Sequence, residues 1–101
     1  MTDKKIKAWK ESGIQPVMIE MEDGKVLYFA IPFRKQMKLI LSKGPKGGPI
    51  AMTDSFITNC YLDGEVDKEF LLTEEGRGYH SQIVASIDDL LGMKKVEVKK
   101  L

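Results

Sequence analysis

The sequence predicts a single small α+β domain, and three observations carry that prediction. Two strand-like runs meet at Asp23-Gly24 within the stretch from Val17 to Arg34. Beyond Pro32 the apolar spacing changes from alternation to helical stripes, at Phe33–Leu41 and again at Tyr79–Leu91. A chain of 101 residues, 43% hydrophobic and 31% charged, is large enough for one packed core and too small for two. The expected layout is an N-terminal helix, a two-stranded antiparallel hairpin over about 17–31, and three helices packed on it, with residues 1–101 forming one domain.

Residues 3–12 place Ile6 and Trp9 on one side, among Lys4, Lys5, Lys7, Lys10 and Glu11. That spacing suits a short amphipathic helix. Gly13 is its expected stop, because the residue after a helix often takes a left-handed conformation. Pro16 then favours an extended Gln15.

Asp23-Gly24 as a two-residue loop suits a type I′ turn. That turn sets Met21 opposite Val26, Ile19 opposite Tyr28 and Val17 opposite Ala30. Because side chains alternate, Val17, Ile19, Met21, Val26, Tyr28 and Ala30 then share the core face. The other face holds Met18, Leu27 and Phe29 together with Glu20, Glu22 and Lys25. The first strand is amphipathic, whereas the second is apolar on both faces. A lone hairpin is marginal in water, so its core face must rest on helices. Met18, Leu27 and Phe29 are therefore the candidate protein-interaction residues, where a partner or a second copy docks by side-chain burial or strand addition.

Pro32 ends the second strand, having no donor for a ladder. Phe33, Met37, Ile40 and Leu41 fall on one helix face, ending near Lys43. Gly44 to Pro49 reads as a loop. A further helix begins at Pro49 or at Thr53-Asp54, with Met52, Phe56 and Cys60 on its stripe and Asp63-Gly64 closing it. Glu65 to Glu69 is an exposed acidic connector, and Phe70-Leu71-Leu72 returns to the core. Thr73 suits a cap, but Gly76 and Gly78 weaken the first turn, which moves the helix start toward Tyr79. Tyr79, Ile83, Ile87, Leu90 and Leu91 form the clearest stripe, and Gly92 ends it. The tail from Met93 to Leu101 fits either a frayed helix or a third strand on the hairpin.

No catalytic, cofactor or metal site is expected from these residues. The Gly44 to Pro49 loop lacks the Gly-Lys-Ser/Thr ending that a phosphate-cradling loop requires. His80 is the only histidine and has no ligand-type residue at metal-binding spacing. Cys60 lies on an apolar stripe, where a buried and inert thiol is usual. Its being the only cysteine excludes an internal disulfide. The carboxylates Glu20 with Glu22, and Asp88 with Asp89, read as solvated faces. Six methionines are more than a small core needs; gap-filling is the first reading and an adaptable binding surface the alternative.

A formal charge of +1 lacks the basic excess of a dedicated nucleic-acid binder. The charged N-terminus has no apolar run of a signal peptide, and no window approaches the roughly 18 apolar residues of a membrane span. A cytoplasmic protein with no membrane partner and no small-molecule substrate is the expectation.

The order of features also carries a resemblance. Glu-Asp-Gly-Lys at the hairpin turn leads to Tyr28, then Pro32-Phe33-Arg34 opens a helix. Asn59-Cys60-Tyr61-Leu62-Asp63-Gly64 follows, then an acidic connector and a final helix with a lysine-rich end. From about Ala8 to Leu101 this resembles small proteins of tailed phages and prophages, particularly of Bacteroides-type hosts, whose layout is similar to that of phage tail assembly chaperones. Phe33 stands where related chains carry an acidic residue. The resemblance implies a non-enzymatic helper in the host cytoplasm that binds the tape-measure protein, and sometimes the tail-tube subunit, during tail polymerisation. It brings no catalytic residues. The alternatives are a minor structural protein of the phage particle, such as a connector or ring component, and a small regulatory or nucleic-acid-associated protein.

Overall fold

The structure is a computed structural model and describes residues 2–91. In chain order its elements are α1 (Thr2–Glu11), β1 (Pro16–Glu20), β2 (Val26–Ala30), α2 (Arg34–Ser42), α3 (Gly44–Cys60), β3 (Tyr61–Gly64), α4 (Lys68–Leu71), α5 (Arg77–Ala85) and α6 (Ile87–Leu90). The fold class is α+β, as predicted. The sheet, however, has three antiparallel strands in the order β1-β2-β3 rather than two. The tail, read above as a frayed helix or third strand, lies outside the described residues.

The third strand comes from a segment expected to end a helix. Tyr61 leaves α3 with φ −63° and ψ 129°, so the chain passes directly from helix into extended backbone. Asp63 then pairs with Tyr28, and the Glu65 N–H donates to the Val26 carbonyl at 3.0 Å. The register slips between Tyr28 and Phe29, a bulge that absorbs the turn out of the helix.

The hairpin forms where predicted but in a different register. Met18 faces Tyr28 and Ile19 faces Leu27, one residue away from the type I′ pairing. The reason lies in the turn. Type I′ needs positive φ at both Asp23 and Gly24, yet among the described residues only glycines have positive φ. Gly24, at φ +89°, donates its N–H to the Met21 carbonyl at 2.9 Å, while Met21 and Lys25 close the ladder around a three-residue loop. The Asp23 carboxylate accepts the Lys25 N–H at 3.1 Å, holding the loop in that form.

A one-residue slip carries β2 through to the opposite face. Leu27 and Phe29, expected on the uncovered side, are 0% exposed in the core. Val26 and Tyr28, expected inside, are half-buried on the outer face. The β1 assignment stands: Met21 is buried and Val17 and Ile19 pack on the core. Phe29 stacks on Phe56 with ring centroids 5.0 Å apart, and the Tyr61 ring meets its edge at 5.6 Å. Burying side chains of this size stabilises by about 1.5–3 kcal/mol each.

The outer face of the sheet is covered in part by α1. Trp9 lies against Tyr28 at 5.8 Å, and the Lys5 ammonium bonds the Asp63 carboxylate of β3 at 2.6 Å. Gly13, at φ +84°, ends this helix as predicted.

Beyond the sheet the helices follow their stripes with several departures. Phe33 is extended ahead of α2, where its N–H donates to the Gln36 side chain at 3.0 Å. Of the predicted α2 face, Ile40 is buried and Met37 packs on the core, whereas Phe33 and Leu41 stay exposed. The predicted loop at 44–49 is helical up to Gly47 and breaks at Gly48, φ +65°, so the long part of α3 begins at Pro49. Phe70-Leu71-Leu72 sends only Leu71 inward. Successive helical residues point about 100° apart, so three in a row cannot share a face. The stripe from Tyr79 to Leu91 is divided at Ser86 into α5 and α6, yet Ile83, Ile87, Leu90 and Leu91 are all buried.

Candidate interaction surface

Of the three predicted interaction residues, the structure leaves Met18 outside and takes Leu27 and Phe29 inside. Met18 is 60% exposed on β1, at the edge of the sheet. It lines a small recess with Ile6, Lys10, Pro16, Val17 and Tyr28. The three residues therefore do not form one surface, and the correction follows directly from the hairpin register.

Strand addition to β1 has little backbone to use. Ile31 donates to the Gln15 carbonyl at 2.9 Å and Met21 to that of Lys25 at 2.8 Å. Odd-numbered residues therefore bond to β2, and even-numbered ones turn their polar backbone groups outward. Pro16 has no N–H, so only Met18 and Glu20 offer donors on that edge.

A larger concave surface lies between the start of α3 and α5. An open groove of about 550 Å³ is lined by Ile50, Arg77, Gly78, His80, Ser81 and Val84. A second recess of about 280 Å³ shares Ile50, Arg77 and His80 with it and extends to Leu72 and Thr73. Ile50 is 62% exposed on this rim, one residue into the helix that Pro49 opens.

His80 forms the polar floor of the groove. Its Nε2 lies 2.7 Å from Asp54 Oδ1, and its side chain is 13% exposed against 52% for Asp54. The pair ties α5 to α3. The hydroxyls beside it are directed elsewhere: Thr73 donates to the Phe70 carbonyl at 2.7 Å and Ser81 to that of Gly78 at 3.0 Å. In this arrangement the imidazole crosslinks the two helices through the Asp54 carboxylate.

Sequence reasoning missed this pair because Asp54 and His80 are 26 residues apart. The available signal was positional. Asp54 follows Thr53, which is buried with its hydroxyl bonded to the Pro49 carbonyl at 2.8 Å, and His80 follows Tyr79 at the edge of the α5 stripe. Cys60 is buried as expected, and burial pushes its thiol up to about 11. Among the described residues no group of His, Cys, Asp and Glu is arranged to hold a metal ion. No helix among them is long and apolar enough to cross a membrane.

Comparison with family models, with curated proteins and with solved structures gives no match to this chain.

Proposed function

We propose that this chain is a non-enzymatic assembly factor of the tail-assembly-chaperone type. In this reading it holds an apolar segment of a tape-measure or tail-tube protein while a phage tail polymerises. The phage setting rests on the resemblance in the hairpin turn, the Pro32-Phe33-Arg34 helix start and the Asn59 to Gly64 segment.

The observation that supports a binding role is the position of Ile50. A large apolar side chain 62% exposed at the rim of a groove, with Leu72 and Val84 nearby, is a docking point for another apolar side chain. Arg77 and His80 supply polar walls that orient what enters. A helix laid along the groove, or an extended stretch of an unassembled subunit, fits such a surface.

The test is to look for tape-measure and tail-tube genes beside its own, co-express the chain with their products and follow with affinity capture. The wild-type chain retains one of them, and Ile50→Glu weakens that retention by about tenfold or more, as expected for a charge placed against an apolar anchor. Ile50 is exposed, so the variant keeps its thermal midpoint. Equal capture by wild type and variant, or capture of neither tail protein, defeats the proposal. Recovery of the chain from purified particles by mass spectrometry shifts it to a structural component of the virion.

A further inference from the structure

The charges of this chain are segregated by sign along the sequence. Between Asp23 and Asp54 there is no carboxylate, yet the stretch contains Lys25, Arg34, Lys35, Lys38, Lys43 and Lys46. Between Asp54 and Asp89 the only lysine or arginine residues are Lys68 and Arg77, among many acids.

Folding does not bring the two sets together. The ion pairs among the described residues are Lys5–Asp63, Arg77–Glu74 and His80–Asp54, and none uses a cation of the first stretch. Each set also sits beside exposed apolar side chains. On α2, Arg34, Lys35 and Lys38 lie opposite the buried Ile40 on the helix wheel, and the exposed Leu39 and Leu41 flank them. Around α4, exposed Glu65, Asp67, Glu69 and Glu75 surround the exposed Phe70 and Leu72. Both α2 and α4 pack on α3, and no ion pair among the described residues joins one to the other.

We infer that the basic outer face of α2 docks on the acidic surface around α4 of a second copy of this chain. Charge complementarity selects the partner, and Leu39 and Leu41 against Phe70 and Leu72 supply the apolar contact. An acidic macromolecule without apolar anchors satisfies the lysines and leaves those leucines in water. A second copy satisfies both and also neutralises the acids. With nine residues, α2 is about 13 Å long, so the contact belongs to the transient, concentration-dependent class. If the contact is symmetric, it closes as a dimer. If it runs head to tail, it continues into larger assemblies. This contact meets the recess beside Ile50 at Leu72, whereas Lys35, Lys38, Glu69 and Glu75, which select the partner, line neither recess.

Sedimentation velocity of the full chain tests it. At low ionic strength the mass should rise with concentration, and at about 1 M salt, where the Debye length is about 3 Å, it should return to that of the monomer. Lys35→Glu with Lys38→Glu, and separately Glu69→Lys with Glu75→Lys, should each weaken association by about tenfold or more. Mixing the two double variants should restore a heteromeric complex, because the reversed acidic face of one meets the reversed basic face of the other. All four positions are exposed, so circular dichroism should report unchanged folds. A monomer at every concentration overturns the inference, whether the acids are then covered by the chain's own lysine-rich end or left in solvent. So does association indifferent to both reversals, or a basic-face variant that loses binding to DNA while its mass is unaffected.

Discussion

The Tyr79 hydroxyl donates to the Asp23 carboxylate across 56 residues of sequence, joining α5 to the tip of the hairpin. Beside it the Glu22 N–H donates to the Gln82 side chain at 3.0 Å, so the loop is held at two points. The hydrogen bond from Tyr79, then that from the Lys25 N–H, holds the Asp23 carboxyl below its ordinary 3.8. The same bond, then desolvation, raises the Tyr79 phenol above 10.0.

These opposite shifts predict a pH dependence at both ends. The Asp23 contribution is present above pH 3.8 and is lost as pH falls through its lower folded value. The Tyr79 contribution is present below pH 10.0 and is lost as pH rises through its higher folded value. Tyr79→Phe should return the Asp23 carboxyl toward the ordinary value in an NMR titration and weaken the pH dependence of urea unfolding at both limits. An unmoved Asp23 titration would show that the hydroxyl does not bond to it in solution.

The hairpin register is open to a direct test by core truncation. Leu27→Ala should cost about 2–5 kcal/mol and Phe29→Ala about 3–5 kcal/mol in urea unfolding. Leu27→Lys should prevent folding, because the ammonium would enter a site that is 0% exposed. In the type I′ register these residues face solvent and the same substitutions would be nearly silent.

Gly76 and Gly78 should respond to alanine in opposite directions. A Cβ on Gly76 would stand 2.0 Å from the Phe70 carbonyl oxygen, where backbone must move to admit it. Gly76→Ala should therefore cost about 1–3 kcal/mol or more. A Cβ on Gly78 meets nothing within 4 Å and lies inside α5, so Gly78→Ala should stabilise by up to about 1 kcal/mol. Thermal unfolding of the two variants separates the effects.

The Cys60 thiol should report on opening of the core. It is 1% exposed, and burial raises its pKa to about 11, so thiolate is scarce at neutral pH and out of reach of reagent. Labelling by an aromatic disulfide should be slow in the native protein and accelerate along the same urea transition as the far-UV signal. Fast labelling without denaturant would place Cys60 at the surface.

The legible parts of this fold are those where one residue type had one good position. Val17, Ile19 and Met21 alternate with Met18 and Glu20 strongly enough to fix the inward face of β1. Gly13 and Pro49 marked a helix end and a helix start by backbone chemistry alone. In β2, Leu27, Phe29, Val26 and Tyr28 are all apolar, so its face depended on φ at Asp23, and Asp-Gly is compatible with two loop lengths. Tyr61 continues the helical spacing of Ile57, and its pairing with Phe29 depends on chain 32 residues distant, which no local pattern encodes. The groove was illegible for the same reason: Ile50, Leu72 and His80 come from three separate segments.

The pairing of β3 with β2 also has a consequence during synthesis. Residues 16–30 leave the ribosome well before Tyr61–Gly64, and until then the inner strand lacks its second neighbour. Closing that gap costs loop entropy before any ladder bond rewards it. Nascent chains ending before Tyr61 therefore present β2 with an unpaired edge and with Leu27 and Phe29 uncovered, the conditions under which two emerging hairpins on one messenger pair with each other instead of folding.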